Sequence, residues 1–353
     1  MRDISNFEAR LTDLSGEIWS KIAKIDEIKG RWRGGLRLSP HVLIRLKKSV
    51  LVTSSGASTR IEGSKLSDLE VETFIQDVRQ RKWESRDEQE VRGYYELLNN
   101  VFDAWQTLSF SESFIKHFHK ELLKYVEKDE RHRGEYKKVE NSVMLFDADG
   151  KEIGVVFETV PAYLTPKKMQ ELVGFTSTAL EEKKIHPLLI AGNFIVEFLR
   201  IHPFQDGNGR LSRVLTNFLL LKSEYAYAPY VSHEKLIEDN KENYYIALRR
   251  SQKSFGTEQE DISAWLDFFL TMILMQSEIA LELMESEQVE SLLSPKQLIV
   301  WKYIQSVAEA VPSEIAKETG VARPTVNQAL TRLLEVERIE KLGAGRGTRY
   351  RKL

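Results

Sequence analysis

The densest chemistry in the sequence falls within twelve residues, His202-Pro203-Phe204-Gln205-Asp206-Gly207-Asn208-Gly209-Arg210-Leu211-Ser212-Arg213. Gly207 and Gly209 stand where a loop passes into a helix. There the backbone can come close to a ligand and turn consecutive N–H groups toward it, forming an anion nest at a positive helix end. Arg210 and Arg213, three apart, project from nearly one face of that helix, and guanidinium forks match phosphate oxygens. Asp206 beside such a nest suits Mg²⁺, which takes one or two carboxylates together with phosphate oxygens. His202 can accept a proton from an attacking hydroxyl near neutral pH. The set reads as a magnesium–polyphosphate site with its own base. The plain alternative is a His-Pro corner followed by a glycine-rich turn and a basic helix start.

These residues need elements to hold them, and the pattern around them is helical. Apolar stretches at Leu188–Leu199 and Leu211–Leu221 flank the loop. Steps of three and four recur at Phe7, Leu11, Leu14, Ile18 and Ile22, at Phe114, Phe118, Leu122 and Leu123, and at Ile262, Trp265, Leu266, Phe269 and Leu270. Residues 135–157 differ, with two β-rich runs around Asp147-Ala148-Asp149-Gly150, a hairpin signal. The expected fold class is mainly α, a helical domain carrying a β-hairpin. The domains are expected at 1–100, an N-terminal helical region, at 101–288, the main domain, and at 294–353, a small C-terminal domain.

The loop resembles the signature of the Fic family, H-x-F-x-[D/E]-G-N-G-R-x-x-R, and matches it at every defined position. The resemblance implies a Fic-type helical domain over most of residues 1–285, with the hairpin as its target-docking flap. It also implies transfer of AMP from ATP to a Ser, Thr or Tyr hydroxyl of proteins, including the chain itself. Under it His202 is the general base, Asp206 the Mg²⁺ ligand, and Gly207, Asn208 and Gly209 hold the inner phosphates. Arg210 and Arg213 would take the outer phosphates, with Leu211 and Ser212 in the same ATP-binding turn and Phe204 anchoring the loop. Leu199, Tyr245 and Gln252 are the expected neighbours of the nucleotide. Gln252 stands where some relatives carry Asn. Val143, Met144, Leu145 and Phe146 in the flap would hold a target segment by strand addition.

Ser58-Thr59-Arg60-Ile61-Glu62-Gly63 matches the family's inhibitory pattern [S/T]-x-x-x-E-[G/N]. Ser58, Glu62 and Gly63 are therefore implied as an inhibitory motif in which Glu62 neutralises Arg213 and takes the place of a γ-phosphate. The plain alternative is that Glu62 ends a surface helix at Gly63.

The last sixty residues resemble a winged helix. Ile299, Tyr303 and Ile304 suggest a first helix, Ser313–Gly320 a second helix and turn, Ala322–Leu334 a recognition helix, and Ile339–Leu342 with Thr348–Arg351 a wing around Gly343, Gly345 and Gly347. Arg323, Thr325, Asn327 and Gln328 would face a groove. Arg338, Lys341, Arg346, Arg349, Arg351 and Lys352 make a basic tail, while Glu335, Glu337 and Glu340 oppose DNA binding.

Composition sets outer limits. A net charge of −2 over 353 residues gives no global attraction to nucleic acid, and the absence of cysteine excludes thiol nucleophiles, disulfides and thiolate zinc sites. The N-terminus has no signal-like apolar core and no apolar run reaches the ~18–20 residues of a membrane span, so a cytoplasmic protein is expected. The expectation is a Mg²⁺-dependent adenylyltransferase using ATP and held back by Glu62, with unknown target proteins, no membrane partner, and DNA binding and homodimer formation left open. The rivals are a nucleotide-sensing DNA-binding transcription regulator, removal of AMP, and another nucleotidyl or phosphoryl transfer.

Overall fold

The structure is a computed structural model and describes residues 6–35, 38–76, 85–146, 152–257, 259–291, 293–336, 338–343 and 348–353. The chain divides into two compact units, one of Met1–Gly35 with Ser39–Ala280 and one of Leu36–Leu38 with Leu281–Leu353. It is mainly α, with a hairpin in the first unit and a small wing in the second.

Helices α1 (Asn6–Ala9), α2 (Gly16–Gly35), α3 (Pro40–Ile61), α4 (Asp68–Gln76), α5 (Arg86–Ala104) and α6 (Glu112–Leu122) precede the hairpin strands β1 (Ser142–Phe146) and β2 (Glu152–Glu158). After it come α7 (Thr165–Glu182), α8 (Pro187–Ile201), α9 (Asn208–Lys222), α10 (His233–Asp239), α11 (Lys241–Gln252) and α12 (Ser263–Ser291). The first apolar series is not one helix. Residues 10–15 interrupt it, although Leu11, Ile18 and Ile22 are all buried.

The centre of the first unit is the pair α8 and α9. Helix α8 opens with His186 as N-cap and Pro187 at its first position, where a missing N–H costs nothing. It is buried from Leu188 to Leu199, as expected of a helix apolar all round. At Gly192 an added Cβ would come within 2.8 Å of Leu266 and 3.1 Å of Phe269, so the bare backbone lets α12 approach closely. Trp265 seals the contact by donating its indole N–H to Gly192 O at 2.8 Å.

Over Ser263–Ser286, α12 is long and apolar enough to cross a membrane by length and composition, which corrects the expectation that no segment is. More than half of that stretch is buried within the structure, and Trp265, Leu266, Phe269, Leu270 and Ile273 pack in the core. A core helix meets the same length and composition limits.

Strands β1 and β2 pair antiparallel, Ser142 opposite Glu158 and Phe146 opposite Glu152, with two irregularities in register. The expected turn at Asp147–Gly150 lies outside the described residues. In the second unit, α13 (Pro295–Ser306), α14 (Pro312–Thr319) and α15 (Arg323–Glu335) pack Trp301, Ile304, Ile315, Val326, Leu330 and Leu333 around one core. Strands β3 (Ile339–Leu342) and β4 (Arg349–Lys352) form the wing, and Ala310 bridges to Tyr350. Residues 344–347 of the wing and Glu337 lie outside the described residues.

Candidate active site

His202 terminates α8 in a left-handed conformation, φ 50° and ψ 61°, its N–H returning to Phe198 O at 2.9 Å. For a residue with a Cβ that conformation is strained by on the order of 1–3 kcal/mol, and it turns the imidazole out of the helical path. Nδ1 lies 3.3 Å from Leu199 O. A carbonyl can only accept, so Nδ1 carries the proton and Nε2 is left with its lone pair. Burial pushes the pKa down to about 4 and the Lys137 charge works the same way, against the Leu199 carbonyl, Glu62 and Asp206. The ring is neutral at pH 7 and able to accept a proton.

The loop after it is tied shut. Asn208 Oδ1 accepts from Phe204 N at 3.0 Å and its Nδ2 donates to Phe204 O at 2.8 Å. The Asn208 side chain is thus spent on the loop, leaving only its backbone N–H for a phosphate. Phe204 is fully buried and stacks on His119, ring centroids 3.8 Å apart. His119 Nδ1 accepts from Gly134 N at 2.9 Å while Nε2 donates to Asp206 O at 3.0 Å, which fixes its tautomer. Nothing in the sequence pattern marks His119 as part of the site.

Gly207, φ 77°, is the N-cap of α9, whose first-turn N–H groups have no carbonyl within the helix to receive them. Glu62 lies against this end. A Cβ added to Gly209 would fall 2.2 Å from Glu62 Oε1 and 3.4 Å from Arg213 Nη1, so the cradle holds a carboxylate where an anion would sit. Arg213 is buried, donating from Nε to Ser58 Oγ at 2.8 Å and from Nη2 to Ser58 O at 2.9 Å and Glu62 Oε1 at 2.7 Å. Burial works against its charge, but Glu62, Tyr244 and Tyr94 outweigh it and raise its pKa. Among the described residues its Nη1 has no hydrogen-bond partner. A buried donor of this kind is costly until an oxygen arrives.

Ser58 and Glu62 lie on the last turn and C-cap of α3, and Gly63 follows at φ 105°. Glu62 therefore both closes that helix and reaches Arg213. The turn beyond is pinned by Asp87, which accepts from Ser64 Oγ at 2.9 Å and Lys65 N at 3.3 Å.

Arg210 has different partners from Arg213. Its Nη2 donates to Asp206 Oδ2 at 3.0 Å and its Nη1 lies 2.7 Å from Glu90 Oε2 on α5. Asp206 also accepts from Gly207 N at 2.6 Å and Arg86 Nη2 at 2.6 Å. Burial alone would raise the Asp206 carboxyl, but Arg210, the Gly207 N–H and Arg86 hold it below the usual range. Asp206 keeps 37% side-chain exposure, and one such carboxylate suffices for a Mg²⁺ that arrives with phosphate oxygens. Among the described residues no cluster of three or more His, Cys, Asp or Glu exists to bind a metal alone.

Leu199, Leu211 and Ser212 are buried, Ser212 Oγ donating to Gly209 O at 2.7 Å. Tyr244 is the core ring, edge-on to Trp265 and Phe268, and Tyr245 is partly buried. Both amide atoms of Gln252 are buried without hydrogen bonds among the described residues. Val143, Met144, Leu145 and Phe146 lie on β1, of which the backbone pairing is described.

His119, His202 and His233 are each held at about 4, chiefly by burial. Unfolded, each would titrate near 6.5. Their neutral burial therefore stabilises the fold above pH 6.5, and that stability is lost as pH falls toward 4, each ring costing about 1.4 kcal/mol for every pH unit between those two values. The thermal unfolding midpoint should drop steadily from pH 7 to pH 4.5. A flat profile would contradict the placement of these rings.

A model of the Fic/DOC family matches residues 109–220, and one described as the C-terminal domain of DIP2311-like transcriptional regulators matches residues 297–353. A probable protein adenylyltransferase of Aquifex aeolicus is 25% identical over 141 residues, covering 39% of this chain and 43% of that protein. The match thus spans less than half of that relative's length. Two solved structures share the fold at TM-score 0.62: a Fic family protein from Desulfovibrio desulfuricans, 24% identical over 97% of this chain and 98% of its own, and a Fic-domain signalling protein from Bacteroides thetaiotaomicron, 23% identical over 74% and 97%. Residues 109–220 thus match the Fic/DOC family within a fold shared with solved Fic proteins, and residues 297–353 match a regulator-type domain.

Proposed function

We propose that this chain is a protein adenylyltransferase, moving AMP from ATP to a protein hydroxyl, and that Glu62 holds it in check. The observation that carries the reading is the Glu62 carboxylate in the α9 cradle, paired with Arg213 and set beside a neutral His202. With Glu62 displaced, the first turn of α9 and the Arg213 guanidinium would receive the phosphates. His202 Nε2 would take the proton as the acceptor oxygen attacks the α-phosphorus, the bond to the β-phosphate oxygen breaks and pyrophosphate leaves. Asp206 is the carboxylate that would hold Mg²⁺, which supplies charge neutralisation on the phosphates when bound. For this, Asp206 has to exchange its contact with Arg86. Catalysis would rest on positioning and charge. The test uses the Glu62→Gly variant with ATP labelled at the α- or the γ-phosphorus. Labelled protein from the α-label alone supports AMP transfer, and label from the γ-position alone identifies phosphoryl transfer instead.

The match over residues 297–353 favours a second activity, DNA binding by the C-terminal domain. Arg323, Asn327, Gln328, Thr331 and Arg332 line the exposed side of α15. Several bases are already opposite acids: Arg332 with Glu335, Arg338 with Glu285, Arg349 with Glu309 and Arg351 with Glu340. Such surface pairs are weak and exchange readily for phosphate. Removing residues 294–353 should leave AMP transfer to a generic acceptor within a few-fold and abolish retention on DNA. Loss of transfer in a folded truncation would show that the small domain completes the site.

A further inference from the structure

The flap strands leave and rejoin the helical body at Asn141 and Thr159, and both side chains meet at one buried ammonium. Lys137 is 4% exposed. Its Nζ donates to Asn141 Oδ1 at 2.7 Å, Thr159 Oγ1 at 2.8 Å and Ile201 O at 3.1 Å, using all three protons. Ile201 is the last residue of α8, so the charge also sits at the negative end of that helix.

The same root segments take the neighbouring carbonyls one after another. Val160 N donates to Arg200 O at 3.3 Å and Lys137 N to Pro203 O at 2.8 Å. Asn141 Nδ2 donates to Phe204 O at 2.9 Å and lies 3.4 Å from His202 O. Every backbone carbonyl from Arg200 to Phe204 is therefore held by the two segments that anchor the flap. Among the described residues no carboxylate forms an ion pair with Lys137. A buried ammonium so placed is expensive, and what it acquires is a fixed geometry around His202.

We infer that Lys137 is a positioning residue that locks the root of the flap to the backbone carrying His202, so that the imidazole's aim depends on the flap's anchorage. This rests on His202 being the base, and the tests separate the two ideas. Glu140 from its own segment and His202 from the end of α8 are the titratable groups that face Lys137. Lys137, Glu62 and Asp206 are those that face His202. Burial pushes Lys137 down to about 8, against Glu140.

The experiment starts from the Glu62→Gly chain and adds Lys137→Met, Lys137→Arg or Thr159→Val. Displacing a reacting group by about 1 Å costs roughly 10²-fold, so Lys137→Met should lower kcat by about that factor with KM for ATP within about twofold. Thr159→Val, losing one acceptor, should lower kcat less and in the same direction, and it carries this part of the test if the Lys137 variants fail to fold. With Lys137 present, the rate should fall as pH rises through about 8 and the ammonium discharges. Lys137→Arg, which stays charged, should retain activity there.

The His202 ring, titrated by NMR, gives a readout independent of transfer. Its pKa should rise in Lys137→Met because the opposing charge is gone. No transfer by the Glu62→Gly parent would defeat the enzymatic reading while leaving the ring titration to judge the contact. An unchanged kcat in Lys137→Met, or in Thr159→Val if that variant alone folds, overturns the inference, as does an unchanged ring pKa.

Discussion

Glu62→Gly is expected to raise AMP transfer about ten- to a hundredfold. The hydrogen bond from Arg213 Nη2 to Glu62 is 2.7 Å long and its guanidinium is buried. A hydrogen bond to a charged group is worth roughly 1.5–3 kcal/mol, whereas an exposed ion pair is worth about 0–1. Glu62 retains 35% side-chain exposure, and solvent screening places the gain toward the tenfold end. The substitution leaves Arg213 bound to Ser58, so the phosphate ligand stays aimed. Glycine also fits the C-cap of α3 without strain. Arg213→Ala should lower transfer, and the double variant should behave like Arg213→Ala, because an open cradle without its guanidinium still fails to hold ATP productively. A change below twofold in folded Glu62→Gly would return Glu62 to the role of a helix end.

His202→Ala in the Glu62→Gly chain should reduce the rate by ~10²–10⁴-fold, the usual worth of a general base. ATP affinity should stay within a few-fold, because the phosphates are held by the α9 turn and Arg213. The comparison is made with isothermal titration for ATP and initial rates for label transfer. Retained transfer would mean that the left-handed His202 serves only to end α8.

Much of this site could be read from local spacing. His202 to Arg213 is one continuous stretch, and a loop entering a helix needs only Gly207, Gly209 and the apolar run after them to be visible. The end of α3 was equally legible, since Gly63 adopts the positive φ that its type suggests. What escaped were partners far along the chain. Arg86 meets Asp206 across 120 positions, His119 meets Asp206 across 87, and Lys137 meets Ile201 across 64. No periodicity records such pairs, because each helix shows only its own apolar stripe. The division of labour between Arg210 and Arg213 was hidden for the same reason: a three-residue spacing puts both on one side of α9, but Glu90 and Asp206 claim one while Ser58 and Glu62 claim the other. At Asn208 the sequence does not say whether side chain or backbone would meet a ligand. The residue type suits one, yet both ends of its amide close the loop on Phe204.

On the proposed reading, a Glu62-blocked cradle on α9 is the place where ATP gives up AMP. Mass spectrometry of the Glu62→Gly chain after incubation with ATP and Mg²⁺ tests it most directly. Peptides carrying one AMP on a Ser, Thr or Tyr hydroxyl are expected, and they should be absent when His202 is also replaced by Ala. Unmodified protein from a folded, ATP-binding variant, or AMP adducts that persist without His202, would contradict it.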